Sequence, residues 1–343
     1  MPTAFDLEKY IELQTQALRE RITEQGKVRI YLEVGGELFD DYHAERVLPG
    51  FDPKTKAKVL SHLPGTQQYL ICVNANYLEN NLPRHSRHKS YIEEVEGLMT
   101  NCQQVNQQQP TLVINFISEK NQAWKGISES WKERGFEIVT RNFIRNYPED
   151  TDLILSKVGF GAETLPNLKG DLIILTGVSA NSGKLSTALS FMYQDRLKGE
   201  MTGFAKYELF PIWDLPKNHP INLAYEAATA DIGDRVLSDE REGQGSVNYS
   251  RDLKAFSLLL SLSEIGGTYD PLKTYKSTTD MGVNMASKCI LDEEEVSLAA
   301  IKEIGRRLNI YEQAKNEMAR SHCAEILTEA QKYMDQLIPK HPG

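Results

Sequence analysis

The stretch LIILTGVSANSGKLSTALSFMY, residues 172–193, joins an apolar run, a loop of small residues, a Gly-Lys pair and a helical pattern. Such a succession is typical of a buried strand that leads through a tight loop into a helix. Small residues let backbone N–H groups close around an anion, and a helix N-terminus carries partial positive charge. The stretch therefore predicts a strand–loop–helix unit with a candidate phosphate site.

Two positions of this loop depart from the usual phosphate-loop pattern G-x-x-x-x-G-K-[ST]. Val178 replaces the first glycine, and Leu185 replaces the hydroxyl residue that would bind magnesium. Ser186 and Thr187 lie about 100° and 200° further round the helix, so neither simply replaces that hydroxyl. We predict anion binding without a conventional magnesium–nucleotide site, and a plain tight turn is the alternative. The residues predicted to contact the anion are Ala180, Asn181, Ser182, Gly183 and Lys184.

Alternating apolar residues predict further strands, separated by helical patterns at residues 90–102 and 121–134. This alternation favours an α/β fold in which a mostly parallel sheet is covered by helices. Residues 292–337 are amphipathic helix throughout, so the C-terminal part is more helical. The predicted strands are residues 28–34, 69–74, 112–117, 136–140, 152–155, 172–177 and 203–209.

The same patterns predict three segments. We expect an α/β domain over residues 1–150 and a second α/β domain, which contains the loop, over residues 151–290. C-terminal helices follow over residues 291–343.

Composition excludes several classes of protein. A formal net charge of −9 argues against a general nucleic-acid binder, and the basic cluster RHSRHK at residues 84–89 is short enough to be a solvated loop. No apolar run approaches the roughly 20 residues of a membrane span, and no secretory leader is recognisable. The 4 cysteines are far apart, which is typical of a reducing compartment. We expect a cytoplasmic protein that binds neither nucleic acid nor membranes.

Two later segments, residues 222–231 and 278–288, each combine an apolar helical surface with one narrow polar line. A helix that is apolar nearly all round is usually buried. A carboxylate on such a helix must therefore be ion-paired, hydrogen-bonded or part of a functional site. We predict that both lines converge on the Lys184 loop; the alternative is that each faces solvent. The first line consists of Asn222, Glu226 and Thr229, and the second of Asp280, Asn284 and Ser287.

Near the N-terminus, the stretch YLEVGGELFDDYHAERVLPGFDP at residues 31–53 likewise places polar and charged residues next to an apolar segment. A predicted strand ends in two glycines, and ligands of open parallel sheets bind beyond the carboxyl ends of strands. Glu33, His43 and Arg46 are therefore candidates for a base and an anion contact. The alternative is a capped helix with His43 and Arg46 on its solvent-exposed face.

Several blocks together closely resemble uncharacterised protein family 0371, a bacterial family with a domain of unknown function. They occur in one order: VGGELFDDYHAERVLPGFDP, the loop ending SGK, FAKYELFPIWDLPKNHPINLAYEAATAD, SVNYSRD and TTDMGVNMA. The resemblance covers about residues 5–307 and implies no established activity, although some members carry the label ATP-dependent peptidase.

The family loop usually reads A-P-G-P-G-S-G-K-M-A-T. Gly183 and Lys184 match it, whereas residues 178–181 differ, and this departure bears on the anion-binding shape of the loop. Family members continue beyond the point at which this chain ends. We therefore expect either a short form or a further C-terminal domain that would complete a shared site.

The predicted function is that of an enzyme acting on a nucleotide or phosphorylated small molecule, by phosphoryl transfer or ligation. ATP or another phosphate ligand is expected, with or without a divalent cation. Lys184 and the loop N–H groups would neutralise phosphate charge, which is most of what such catalysis requires. The further candidates are Glu226, Asp280 and His43 as base or metal ligand, and Asn222, Asn284 and Arg46 as substrate contacts.

Two alternatives remain. In a non-catalytic ligand-binding or assembly protein, the polar lines would join domains or subunits of a homo-oligomer, and Glu226 would be satisfied internally. A peptidase would need a nucleophile or metal motif, and neither His-Glu-x-x-His nor Gly-x-Ser-x-Gly occurs. Cys289 is the one candidate nucleophile, and its apolar neighbourhood indicates an inert buried thiol.

Overall fold

The computed structural model describes residues 3–81, 89–239, 246–265 and 270–337, so the basic cluster at residues 84–89 lies outside the described residues except for Lys89. The strands are β1 (Arg29–Val34), β2 (Gln67–Asn74), β3 (Thr111–Ile117), β4 (Ile138–Asn142), β5 (Leu172–Thr176), β6 (Thr202–Tyr207), β7 (Val236–Ser238), β8 (Val247–Tyr249) and β9 (Gly282–Val283). The helices are α1 (Leu7–Glu24), α2 (Tyr42–Val47), α3 (Thr55–Ser61), α4 (Ala75–Asn80), α5 (Tyr91–Asn106), α6 (Trp124–Glu133), α7 (Thr151–Ile154), α8 (Lys184–Leu197), α9 (Pro220–Ala228), α10 (Ser250–Ser263), α11 (Glu293–Gln313) and α12 (Glu317–Leu337).

Within the described ranges, seven strands form one parallel sheet in the order β4–β3–β2–β5–β1–β6–β9. The strand of the opening stretch, β5, lies between β2 and β1, where Ile173 is opposite both Gln68 and Tyr31. All residues of β5 are buried, which explains its continuous apolar sequence. Because the strands are parallel, their carboxyl ends meet at one edge of the sheet.

Alternate residues of each strand pack on opposite faces of the sheet, as the period of two requires. In β1, Ile30 and Leu32 face a core that includes α1, α5 and α11, whereas Tyr31 faces a core built with α8 and α10. The predicted α/β class, with a mostly parallel sheet covered by helices and a helical C-terminal part, is therefore confirmed.

The sheet contains strands from both of the predicted segments, residues 1–150 and residues 151–290. In particular, β1 pairs with both β5 and β6. The two segments thus share one sheet, and their division into independent folding units stays a prediction.

Two predicted elements are wrong. Residues 152–155 belong mainly to helix α7 rather than to a strand, because Asp150 caps the N–H of Leu153 and starts a helical turn. Residues 278–288 do not form a helix: a 3-10 turn at Thr279–Met281 leads into β9, which pairs with β6, and a second turn follows. Gly282 disfavours the helix, and parallel pairing supplies the hydrogen bonds that a helix would have made.

The C-terminal helices α11 and α12 pack on α9, and α11 also packs on α2. The carboxylate of Glu303 on α11 is fully buried and pairs with His43 at 3.2 Å, Arg46 at 2.7 Å, Arg306 at 2.6 Å and Arg307 at 3.0 Å. Burial alone would raise the pKa of Glu303, but hydrogen bonds from Arg306 and His43 hold it well below its usual range. This cluster joins α2 to the C-terminal helices.

Among the described helices, none is both long enough and apolar enough to cross a membrane. The cytoplasmic location stays a prediction.

The first prediction concerns the Glu303 cluster. Glu303→Gln should lower the free energy of unfolding at pH 7 by about 2–3 kcal/mol, somewhat less than the roughly 3–5 kcal/mol for a fully buried pair. The expected loss is smaller than that of a fully buried pair because the side chains of Arg46 and Arg306 are each 32% exposed. Water can therefore partly solvate their guanidinium groups once the carboxylate is removed. Urea unfolding measures this difference.

Two comparisons test the assignment. Glu312→Gln removes an exposed carboxylate from the same helix and should change stability by less than about 0.5 kcal/mol. Because the pKa of Glu303 is lowered by folding, the stabilisation is present above the ordinary carboxyl range and is lost as the pH falls. Equal stability of wild type and Glu303→Gln at pH 7 would contradict this role.

Candidate functional site

A cavity of about 520 Å³ lies at the carboxyl ends of the parallel strands. From β5, the strands β2, β3 and β4 run outward on one side, while β1 and β6 lie on the other side. The strand order therefore reverses at β5, and ligands of open parallel sheets bind at such a point. The strand-end residues that line the cavity include Glu33, Asn74, Asn115, Asn142 and Lys206.

Glycine is required at both ends of the loop between β5 and α8. A Cβ atom on Gly177 would lie 2.8 Å from the carbonyl oxygen of Cys72. Gly183 has a φ of +87°, and a Cβ there would lie 2.9 Å from the side chain of Asn115. Because a side chain fits neither position, the loop depends on glycine at both ends.

Side chains from three different elements hold three successive carbonyl groups of the loop, those of residues 180, 181 and 182. Arg251 of α10 donates to the first at 3.1 Å, Asn74 of β2 to the second at 2.7 Å, and Asn115 of β3 to the third at 2.8 Å. In the described part of the chain, no side chain caps the N-terminus of α8. The first N–H groups of α8 are therefore left for another acceptor, and the helix dipole favours an anion there.

Lys184 and Glu33 are buried charged side chains of the cavity wall, only 5% and 6% exposed. Within the described ranges, neither forms a hydrogen bond or an ion pair, and Oε2 of Glu33 is fully buried. Burial lowers the pKa of Lys184, although the nearby charge of Glu33 opposes this shift. Burial likewise raises the pKa of Glu33, against the opposing charges of Lys206 and Lys184.

Other charged side chains of the cavity wall, buried or exposed, have direct partners. Lys206 pairs with Glu208 at 2.6 Å and also contacts Asp252. Burial raises the pKa of Glu208 to about 7, although Lys206 opposes the shift. Arg251 pairs with Asp234 at 2.7 Å, outside the cavity wall. Within the described residues, the cavity wall therefore combines satisfied ion pairs with the ammonium of Lys184 and the carboxylate of Glu33, which form neither a hydrogen bond nor an ion pair.

Arg141 of β4 connects this site to the helix behind it. It pairs with Glu163 at 2.7 Å and donates to the Asn115 side chain at 2.8 Å, to Thr187 at 3.0 Å and to Ser186 at 3.1 Å. Since Asn115 holds the loop, these hydrogen bonds fix β3, β4 and the first turn of α8 relative to one another.

Four of the five predicted loop residues line the cavity: Ala180, Asn181, Gly183 and Lys184. Ser182 does not line it, because its side chain is fully buried next to Gly177. Glu33, predicted from its place near a strand end, also lines the cavity.

The predicted convergence of the two polar lines on Lys184 is wrong. Helix α9 forms, but Asn222 is bonded to the backbone N–H of Ile212 at 2.8 Å and to its carbonyl at 3.0 Å. Glu226 accepts from the backbone N–H of Val236 at 2.9 Å and contacts His322 at 2.7 Å. Their polar groups are satisfied inside the fold, and neither residue lines the cavity.

Asp280 and Asn284 also lie outside the cavity wall. Because residues 278–288 are not helical, these side chains satisfy turns: Asp280 accepts from the N–H of Lys276 at 2.7 Å and of Ser277 at 3.1 Å. Asn284 donates to two backbone carbonyls, at 3.0 Å and 3.1 Å. His43 and Arg46 likewise do not reach the cavity, because both pair with Glu303.

Sequence reasoning missed several cavity residues that occupy recognisable places. Asn74 and Asn142 are the last residues of β2 and β4, and Asn115 lies near the end of β3. A polar residue at the carboxyl end of a predicted parallel strand was therefore the available signal. Arg251 and Asp252 lie in the SVNYSRD block that carries the family resemblance. No local sequence pattern indicated that their side chains would line the cavity.

The comparisons with known proteins agree with this resemblance. A family model described as "Domain of unknown function DUF1846, N-terminal" matches residues 3–337. The chain belongs to the DUF1846 family. A UPF0371 protein of Corynebacterium aurimucosum is 40% identical over 319 residues, which cover 91% of this chain and 63% of the relative.

Two further relatives have similar identity and coverage. A UPF0371 protein of Corynebacterium diphtheriae is 41% identical, over 88% of this chain and 61% of the relative. A UPF0371 protein of Streptococcus pyogenes is 38% identical, over 89% of this chain and 61% of the relative. The predicted resemblance to protein family 0371 is thus confirmed, and the chain spans about three fifths of the length of these relatives.

The second prediction concerns the unpaired carboxylate of the DUF1846 chain. Glu33→Gln should raise the free energy of unfolding at pH 8 by about 1 kcal/mol, because the burial of its charge costs more than the nearby charges of Lys206 and Lys184 return. Folding raises the pKa of Glu33, so the cost of its charge is fully present above that pKa. The gain should therefore shrink as the pH falls and wild-type Glu33 becomes protonated.

Glu149→Gln provides the matched control, since Glu149 lines the same cavity but its side chain is 61% exposed. Thermal and urea unfolding should give this variant the same free energy of unfolding as wild type at every pH. A loss of stability in Glu33→Gln at pH 8 would mean that the carboxylate has a stabilising partner.

Proposed function

We propose that the cavity binds the phosphate group of a nucleotide or phosphorylated small molecule, and that the protein is an enzyme acting on this ligand. One observation carries the proposal: the buried ammonium of Lys184 has no partner among the described residues and lines a cavity beside the uncapped N-terminus of α8. An unpaired buried charge is costly, and an anionic ligand would supply the missing partner.

The surrounding loop supports a phosphate rather than a single carboxylate. A phosphate presents several oxygens, and the site offers the ammonium of Lys184 together with the first backbone N–H groups of α8. Because residues 180–182 are fixed by Arg251, Asn74 and Asn115, these donors need no rearrangement to meet the ligand. Fixed donors of this kind stabilise charge that develops during phosphoryl transfer.

Glu33 is the proposed base, in place of Glu226, Asp280 and His43. In phosphoryl transfer it would accept the proton of an attacking hydroxyl while the new P–O bond forms and the bond to the leaving group breaks. A base works best when its pKa is near the working pH, and burial raises the pKa of Glu33 towards that range.

A non-catalytic binding or assembly protein is the second candidate. The internal hydrogen bonds of Glu226 favour it, because a carboxylate satisfied inside the fold is what that alternative predicts. The two candidates differ in turnover: both allow a ligand in the cavity, but only the enzyme converts it.

The third prediction is that Lys184→Met weakens the binding of phosphorylated ligands. A thermal-shift screen of nucleotides and phosphorylated metabolites, with and without Mg²⁺, identifies ligands that raise the melting temperature of wild type. Calorimetry should then show at least about tenfold weaker binding by Lys184→Met, because a charge-assisted hydrogen bond contributes roughly 1.5–3 kcal/mol.

Lys254→Met is the control for this loss of one positive charge. Lys254 also lines the cavity, but its side chain is 60% exposed and pairs with Glu149 at 3.2 Å. Its replacement should weaken binding by less than about threefold, because exposed ion pairs contribute little. Unchanged affinity in Lys184→Met would refute the phosphate site.

The fourth prediction is a bell-shaped pH dependence of turnover with the ligand from that screen. The rate should rise through the raised pKa of Glu33, which must lose its proton to act as base. It should fall as Lys184 loses its proton at a pKa lowered by burial. Glu33→Gln should remove the rising limb, and a lack of turnover with every ligand that binds would favour the non-catalytic alternative.

A further inference from the structure

At the Glu33 end of the cavity, several carboxylates lie near the ammonium of Lys206. In the β1–β6 register Glu33 is opposite Lys206, and Lys206 also holds Glu208 and Asp252. All four side chains are buried or nearly so. Lys206 thus has three carboxylates near it. Among the described residues, Glu33 is the one of the three that forms neither a hydrogen bond nor an ion pair, although the charges of Lys206, Lys184 and Arg251 act on it.

Phosphate binding changes the charge balance of this cavity. Before binding, Lys184 and Glu33 are charged groups of the cavity wall without an ion pair among the described residues, and their opposite charges cancel. A phosphate ester brings up to two negative charges and engages Lys184, which leaves the charge of Glu33 uncompensated. Excess charge in a buried site is unfavourable, so the ligand itself should bring a positive group.

The Glu33 end suits an organic cation better than a metal ion. The ammonium of Lys206 already occupies the space between Glu208 and Asp252, where a metal ion would otherwise gather both carboxylates. Tyr249 lines the cavity, and Lys206 lies 5.9 Å from the centre of its ring. Tyr225 lines the cavity beside it, with ring centroids 5.1 Å apart, and tyrosine faces attract organic cations.

We propose that the ligand is a phosphate ester that also carries a protonated amine, with the phosphate at Lys184 and the N-terminus of α8 and the amine at Glu33. This inference rests on the proposed function, because it assigns the second half of the same ligand. Selectivity for the amine comes from the ionised carboxylate of Glu33, which in this complex holds the amine instead of acting as the base. Affinity for the phosphate comes from Lys184.

The test uses two pairs of compounds that differ only in an amine or a hydroxyl: O-phosphoethanolamine with 2-hydroxyethyl phosphate, and glucosamine 6-phosphate with glucose 6-phosphate. Calorimetry is performed at pH 7 with EDTA present. Wild type should bind the amine member of at least one pair about tenfold more tightly, as expected for a charge-assisted hydrogen bond.

Glu33→Gln and Lys184→Met separate the contribution of the amine contact from that of the phosphate contact, and Glu149→Gln is the control. Glu33→Gln should reduce the amine preference to less than about threefold, with little change for the hydroxyl compound, since only one charge-assisted contact is lost. Glu149→Gln should keep the preference, because Glu149 is exposed and paired with Lys254. Lys184→Met should weaken both members of the pair equally.

Equal binding of amine and hydroxyl compounds by wild type would overturn the inference. So would a preference that survives in Glu33→Gln, or one that appears only when Mg²⁺ replaces EDTA in the titration. In those cases the loss of binding in Lys184→Met would still support the phosphate site. If wild type bound none of the four compounds, the amine inference would fall, while the phosphate site would still be judged by the nucleotide screen. If Lys184→Met bound them unchanged, both proposals would fall.

Discussion

The parallel pairing of β5 between β2 and β1 is the constraint on which the rest of the structure depends. It places the loop of residues 177–183 at the middle of the sheet edge, with strand ends on both sides. Glu33 and Asn74 reach the same cavity only because their strands flank β5. The backbone hydrogen bonds of the sheet thus bring residues that are far apart in the sequence to one site, where side chains such as Asn74 then hold the loop.

The fold class and the loop could be predicted because their signals are local. Apolar alternation identifies strands, and the small residues before Lys184 indicate a tight strand-to-helix loop. Glu33 could be predicted as well, because the edge at which parallel strands end is a general binding place. Strand order has no such local signal, so the neighbours of β5 could not be derived from the sequence.

The failed predictions share one cause. A polar side chain on an apolar helix must be satisfied, but the sequence does not say by what. In this fold Asn222 and Glu226 bind backbone groups of neighbouring segments, and Asp280 stabilises a turn. Arg251 shows the converse: it is unremarkable in the sequence and holds the loop only because α10 packs beside α8.

Buried charged side chains have different surroundings away from the cavity and at the cavity. Away from the cavity, buried charges have close partners: Arg196 and Asp270, both with fully buried side chains, pair at 2.8 Å, and Glu303 has four cationic contacts. At the cavity, Lys184 and Glu33 have none within the described ranges. Native proteins accept such a loss of stability at sites that must remain available to a ligand.

The three side chains that hold the carbonyls of residues 180–182 have a kinetic consequence. A loop anchored to β2, β3 and α10 is ordered when the chain folds, so the proposed binding would not wait for this loop to close. Capture of the proposed anion would then depend on diffusion through the mouth of the cavity and on electrostatic attraction. The free and occupied forms of this loop should accordingly have almost the same backbone.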